Sequence, residues 1–170
     1  LTVLALFIAI IQAWRHKTIK PMILWGGAFL LLYLIVGVPK IYLRRGAPAD
    51  LQVDAVELFS KPFCGGAACM SYPSGHAANS IVWYGLGALL LGTLLHSHAY
   101  FLVRVLVASI VAVATVISGF HWATDTLAGV LAGAAIYLLL RQLDNYLSGY
   151  QLPLDPRRLW PIRRLRDSGA

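Results

Sequence analysis

Four long apolar stretches, residues 22–38, 77–95, 101–118 and 123–140, constrain this chain more than any other feature. Crossing the hydrocarbon core of a bilayer takes about 20 apolar residues in helical form, and each stretch approaches that length. In lipid every backbone N–H and C=O must find its partner inside its own segment, so such stretches fold as helices. With 59% hydrophobic and only 12% charged residues and a mean hydropathy of +0.71, the composition excludes an ordinary soluble globule. The fold class expected is all-α, a polytopic transmembrane helical bundle occupying residues 1–143. A fifth apolar stretch, 1–13, is too short to cross alone. The chain opens on Leu1 with neither an initiator Met nor a charged flank, which points to further residues before it. No basic leader or small-residue cleavage site frames this stretch as a secretory signal.

The basic residues set an orientation, because short Lys- and Arg-rich loops stay on the cytoplasmic side. If every stretch crosses, Arg15, Lys17, Lys20, Arg104, Arg141, Arg157, Arg158, Arg163, Arg164 and Arg166 share one side, against Lys40, Arg44, Arg45 and Lys61 on the other. This predicts a protein of the plasma (inner) membrane with its 44–75 loop on the outer or periplasmic face. The net charge of +7 then sits mostly in a basic cytoplasmic tail, residues 144–170, beside anionic lipid. No folded basic domain supports binding of nucleic acid, and the partners expected are membrane lipids.

Between the first two long stretches, residues 49–60 read as a short interfacial helix, with Asp50, Asp54 and Glu57 recurring at spacings of four and three. Cys64 and Cys69 flank a Gly-Gly-Ala-Ala spacer in the same outward loop. The oxidising side permits a disulfide there, with two free thiols as the alternative. Two cysteines without a second pair make an incomplete zinc set. Gly129 and Gly133, four apart, mark a face where helices approach closely. Packing within the bundle is the favoured reading, and a homo-oligomer interface is the other.

Two polar clusters stand at the ends of apolar stretches, Pro73-Ser74-Gly75-His76 and His121-Trp122-Ala123-Thr124-Asp125. Ionisable groups at membrane depth are expensive and mark function. Ser74 suits an N-cap for a helix beginning near His76, and Gly75 lets backbone approach a ligand closely. The N–H groups and dipole of such a helix start form an anion cradle. His121 and Asp125, four apart, would share a face if helix begins there, with the carboxylate holding one imidazole nitrogen and leaving the other free to attack. Trp122 is placed to anchor at the interface or to line an entrance for lipid. His96 and His98 fall at the opposite end of their helices, outside this site.

These residues resemble the type 2 phosphatidic acid phosphatases, membrane lipid phosphatases that share a helical core with vanadium haloperoxidases. The likeness covers roughly residues 38–132. The first motif of that family, a Lys followed seven residues later by Arg-Pro, aligns with Lys40 and with Ala47-Pro48. The second is Pro73-Ser74-Gly75-His76, intact, and the third, Ser-Arg, five residues, His, three residues, Asp, aligns with Ala114-Thr115, His121 and Asp125.

The resemblance implies a metal-independent phosphatase with no cofactor, whose substrate is a lipid phosphate: a polyprenyl diphosphate or a glycerophospholipid phosphate of the cell envelope. By the same resemblance His121 attacks phosphorus to give a phosphohistidine, Asp125 orients it, and His76 protonates the leaving lipid oxygen. Ser74, the Gly75 amide and Lys40 would hold the phosphate. Both family arginines are replaced, one by Ala47 and one by Thr115. Arginine forks are the strongest phosphate clamps, and Arg44 and Arg45, just before Ala47, are the residues expected to swing into the same pocket. A lipid phosphotransferase using the same site, or a catalytically weak lipid-phosphate binding or assembly subunit, remain open beside hydrolysis.

Overall fold

The computed structural model describes residues 1–50, 70–92, 97–150 and 152–154, without the side chains of 50, 97–100, 103 and 104. The expected interfacial helix over 49–60, the Cys64 to Cys69 bridge, the side chains of His96 and His98, and the arginine-rich tail lie outside these residues, apart from a single 3-10 turn at Pro48–Asp50.

Among the described residues five helices form and no strand does: α1 (Thr2–His16), α2 (Lys20–Leu43), α3 (Gly75–Leu91), α4 (Ser97–Ile117) and α5 (Ala123–Ser148). Two of them, α2 and α5, are long and apolar enough to cross a membrane. The first apolar stretch ends later than its hydropathy suggests, because α2 continues through Pro39 and Lys40 to Leu43. Likewise α5 does not stop at 143. It runs on to Ser148, and Asp144 in the added turn pairs with Lys20 of α2 at 2.8 Å.

The core is a stripe on each helix. On α2 it is Leu24, Ala28, Leu32 and Val36; on α3 Ala78, Val82, Trp83 and Leu86; on α5 Ile136 and Leu140. A strict four-residue repeat on a 3.6-residue helix drifts by about 40° per step. In α2 that drift is taken up by a π-helical turn at Tyr33–Gly37, whose wider i→i+5 coil keeps Val36 inward and carries Lys40, the next residue of the repeat, to the end of the bundle where the polar clusters meet.

Helices α3 and α5 pack most closely, and small residues permit it. A Cβ on Gly129 would lie 2.3 Å from the Ser74 carbonyl oxygen, and one on Gly133 would lie 3.0 Å from the Ala78 backbone. The Gly129 and Gly133 stripe is therefore filled by α3 of the same chain. At its upper end the contact is fixed by a hydrogen bond from the Ser74 N–H to the Asp125 carbonyl at 2.8 Å. At the opposite end the Ile19 N–H reaches Leu152 and the Leu154 N–H reaches Lys17, pinning residues 152–154 to the α1–α2 turn.

Candidate active site

The site forms where the end of α2, the start of α3, the turn after α4 and the start of α5 converge. Ser74 is the N-cap of α3, its Oγ accepting from the Ala77 N–H at 3.3 Å. The side chain is fully buried, so the cradle is offered by the first-turn backbone at Gly75 and His76. Lys40 lies beside it, its Nζ donating to the carbonyls of Met70 and Ser71. A Cβ on Gly75 would come within 3.3 Å of the Lys40 Cε.

The second polar cluster, His121 to Asp125, is arranged differently from a helical pair. α5 begins at Ala123, so His121 precedes the helix and does not share a helical face with Asp125. The turn is held from both sides. Gly119 takes a positive φ of 71°, which glycine adopts without strain and which closes α4; the N–H groups of Phe120 and His121 then bond the Thr115 carbonyl. On the other side Asp125 reaches back to cap its own helix, Oδ2 accepting from the Trp122 N–H at 2.9 Å. Proximity of histidine and carboxylate thus comes from a capping turn. The His121 Nδ1 is 3.8 Å from Asp125 Oδ2, beyond hydrogen-bond range.

A residue missed by the sequence reading fills that gap. Ser71 Oγ lies 3.4 Å from His121 Nδ1 and donates to Asp125 Oδ2. The only sequence signal for it was a hydroxyl on the short segment leading into the phosphate cradle. On its other edge, His121 Nε2 lies 3.3 Å from His76 Nδ1, the two rings meeting edge to face at 5.5 Å between centroids.

The arginines do not take the places expected of them. Arg45 is buried, its Nη1 2.5 Å from Asp125 Oδ1 and 2.7 Å from Thr124 Oγ1, with the guanidinium 5.6 Å from the centre of the Trp122 ring. Arg44 caps α2 in a left-handed conformation and its Nε donates to the Ile41 carbonyl. Neither lines the cavity that opens on the histidines. Trp122 does not line it either; its Nε1 donates to the Gly46 carbonyl and so braces the segment carrying Arg45. Thr115 is buried with its hydroxyl on the Val111 and Ala112 carbonyls of its own helix.

The cavity has a volume of about 800 Å³. Lys40, Ser71, Gly75, His76, Asn79 and His121 supply its polar wall, while Met70, Trp83 and Phe120 are among its apolar lining. Asn79 is held by its own helix, donating to the Gly75 carbonyl and accepting from the Trp83 Nε1. Among the described residues no three His, Cys, Asp or Glu side chains converge as a metal-binding set. A cavity of this size, mainly apolar with a few convergent polar groups, suits a small headgroup attached to a chain.

The sequence pattern of the PAP2 superfamily matches residues 21–148. The chain belongs to that superfamily. The match takes in α2 to α5 and all of the site just described, which makes phosphatase-type chemistry the family-level activity. No curated protein and no solved structure matches the chain.

Proposed function

We propose that this PAP2 superfamily member is an integral membrane phosphatase that removes phosphate from a lipid phosphate or diphosphate at the outer leaflet. The observation that carries the reading is the His76 to His121 contact of 3.3 Å in the lining of the cavity, with Lys40 and the start of α3 beside it. In the first step the His121 Nε2 lone pair forms a bond to phosphorus as the bond from phosphorus to the lipid oxygen breaks, and His76 gives that oxygen its proton. In the second, water attacks the phosphohistidine, His76 takes the water's proton, and the nitrogen–phosphorus bond breaks. Lys40 and the first-turn amides of α3 offset charge on the transferring phosphoryl group.

Insertion in the bilayer is supported by the outward-facing apolar side chains of Leu4, Phe7 and Ile11 on α1 and of Leu127, Leu131 and Leu138 on α5. An outward site is supported by Lys17, Lys20 and Arg141, which sit at the end of the bundle away from the histidines. The test is phosphate release by the purified protein from a panel of lipid phosphates, with trapping of phosphoenzyme from labelled lipid. Turnover with a labelled, acid-labile phosphohistidine is expected. Lipid binding with neither product would favour the assembly-subunit reading, and labelled phosphate arriving on an added alcohol would favour transfer.

A further inference from the structure

We propose that Ser71 is a positioning residue, through which the Asp125 carboxylate acts on His121; the inference rests on the phosphohistidine reading given above. The direct path is too long, at 3.8 Å between Nδ1 and Oδ2. Ser71 Oγ stands between the two groups, 3.4 Å from Nδ1 and in short contact with Oδ2. The hydroxyl has one proton and three acceptors in reach, Asp125 Oδ2, the Phe120 carbonyl at 3.3 Å and His121 Nδ1 at 3.4 Å. The charged acceptor at the shortest distance takes it, because hydrogen bonds to carboxylates are the stronger kind. The oxygen lone pair of Ser71 is then left facing Nδ1, and the imidazole donates to it.

That fixes the tautomer. With the proton on Nδ1, the lone pair is on Nε2, the atom that faces His76 and the cavity. The chain of donors runs from His121 Nδ1–H to Ser71 Oγ and from the Ser71 O–H to Asp125 Oδ2, which leaves the Nε2 lone pair on the side of His76 and the cavity. Its far end is anchored twice, by Arg45 Nη1 on Oδ1 and by the Trp122 N–H on Oδ2. Ser71 is itself held by the backbone, its N–H bonding the Arg45 carbonyl at 3.0 Å, and the Lys40 ammonium touches its carbonyl. The segment that carries the phosphate-side lysine contact therefore also carries the hydroxyl that orients the nucleophile.

The experiment is steady-state kinetics on the full chain in detergent for S71A, S71C and S71T, with D125N, S71A/D125N and H121A alongside. Loss of an orienting group costs about 10²-fold when the reacting atom is misplaced by an ångström. S71A and S71C should accordingly lose about that much in kcat with KM within about twofold of the parent, and S71T, which keeps the hydroxyl, should recover most of it. Because Ser71 and Asp125 act in series, the double variant should be no slower than D125N alone. Parent-like turnover by S71A and S71C, or fully additive losses in S71A/D125N, would overturn the proposal. H121A separates the two ideas: an inactive H121A with a parent-like S71C refutes the relay alone, and an active H121A refutes the phosphohistidine mechanism itself.

Discussion

Arg45 and Asp125 form a buried ion pair, Nη1 to Oδ1 at 2.5 Å, and neither residue lines the cavity. A guanidinium in this position neutralises and immobilises Asp125 and leaves the phosphate to other groups. Removing one partner of a buried pair strands the other charge and costs about 3–5 kcal/mol. Arg45→Ala is therefore expected to lower the midpoint of thermal unfolding and to abolish most turnover, whereas Arg44→Ala should keep parent-like turnover, since Arg44 does not line the cavity. Thermal unfolding in detergent and phosphate release on the two variants measure this. Equal losses in both would contradict the assignment.

Ala47 lines the cavity beside Lys40, at the position where the family's first motif carries arginine. A planar fork there would meet the phosphoryl oxygens in the charge-assisted, two-bond geometry that a single ammonium cannot supply. Ala47→Arg is expected to raise kcat/KM on a lipid phosphate by about tenfold, a factor worth about 1.4 kcal/mol of transition-state stabilisation. A fall in kcat/KM with stability unchanged would mean that the cavity has no room for the longer side chain in a productive pose.

The elements legible in the sequence were those governed by local rules. Apolar length announced the helices, Ser74 announced the start of α3, and Gly129 with Gly133 announced a close helix contact. What escaped was set by tertiary geometry. Four-residue spacing between His121 and Asp125 read as a helical face, yet the turn pinned by Thr115 and Gly119 puts the histidine before α5 and leaves a gap for Ser71. The direction of Arg45 depended on Trp122 and Thr124, some 80 residues away in sequence. The π turn in α2 carries no composition signal, since it answers a drift between the repeat of apolar residues and the pitch of the helix.

Orientation in the membrane is open to direct chemistry. Tyr42, exposed at the site end of α2, and Asn145, exposed near the end of α5, lie at opposite ends of the bundle. In a background with Cys64 and Cys69 replaced by Ser, a cysteine introduced as Tyr42→Cys is expected to react with an impermeant thiol reagent in intact cells. Asn145→Cys should react only after lysis. The reverse pattern would put the histidines on the cytoplasmic face and require an inner-leaflet substrate, contrary to the charge distribution.

Gly129 couples the packing of the bundle to the chemistry at its end. Its Cα faces the Ser74 carbonyl so closely that a methyl group would lie 2.3 Å from that oxygen, a separation that backbone must yield to. The two backbones are joined one turn away by the Ser74 N–H to Asp125 carbonyl bond, so any widening pulls the phosphate cradle from the residue that backs the nucleophile. Overpacking of this kind costs about 1–3 kcal/mol, and an ångström of misplacement about 10²-fold in rate. Gly129→Ala should thus show a modest fall in unfolding temperature and a disproportionate fall in kcat. Gly26→Ala, where a Cβ meets nothing within 4 Å, should leave both untouched. If Gly129→Ala lowered stability but turned over substrate at the parent rate, the α3 to α5 spacing would be a matter of packing alone, and the cradle would have to be held in place by Lys40 and the Ser71 segment instead.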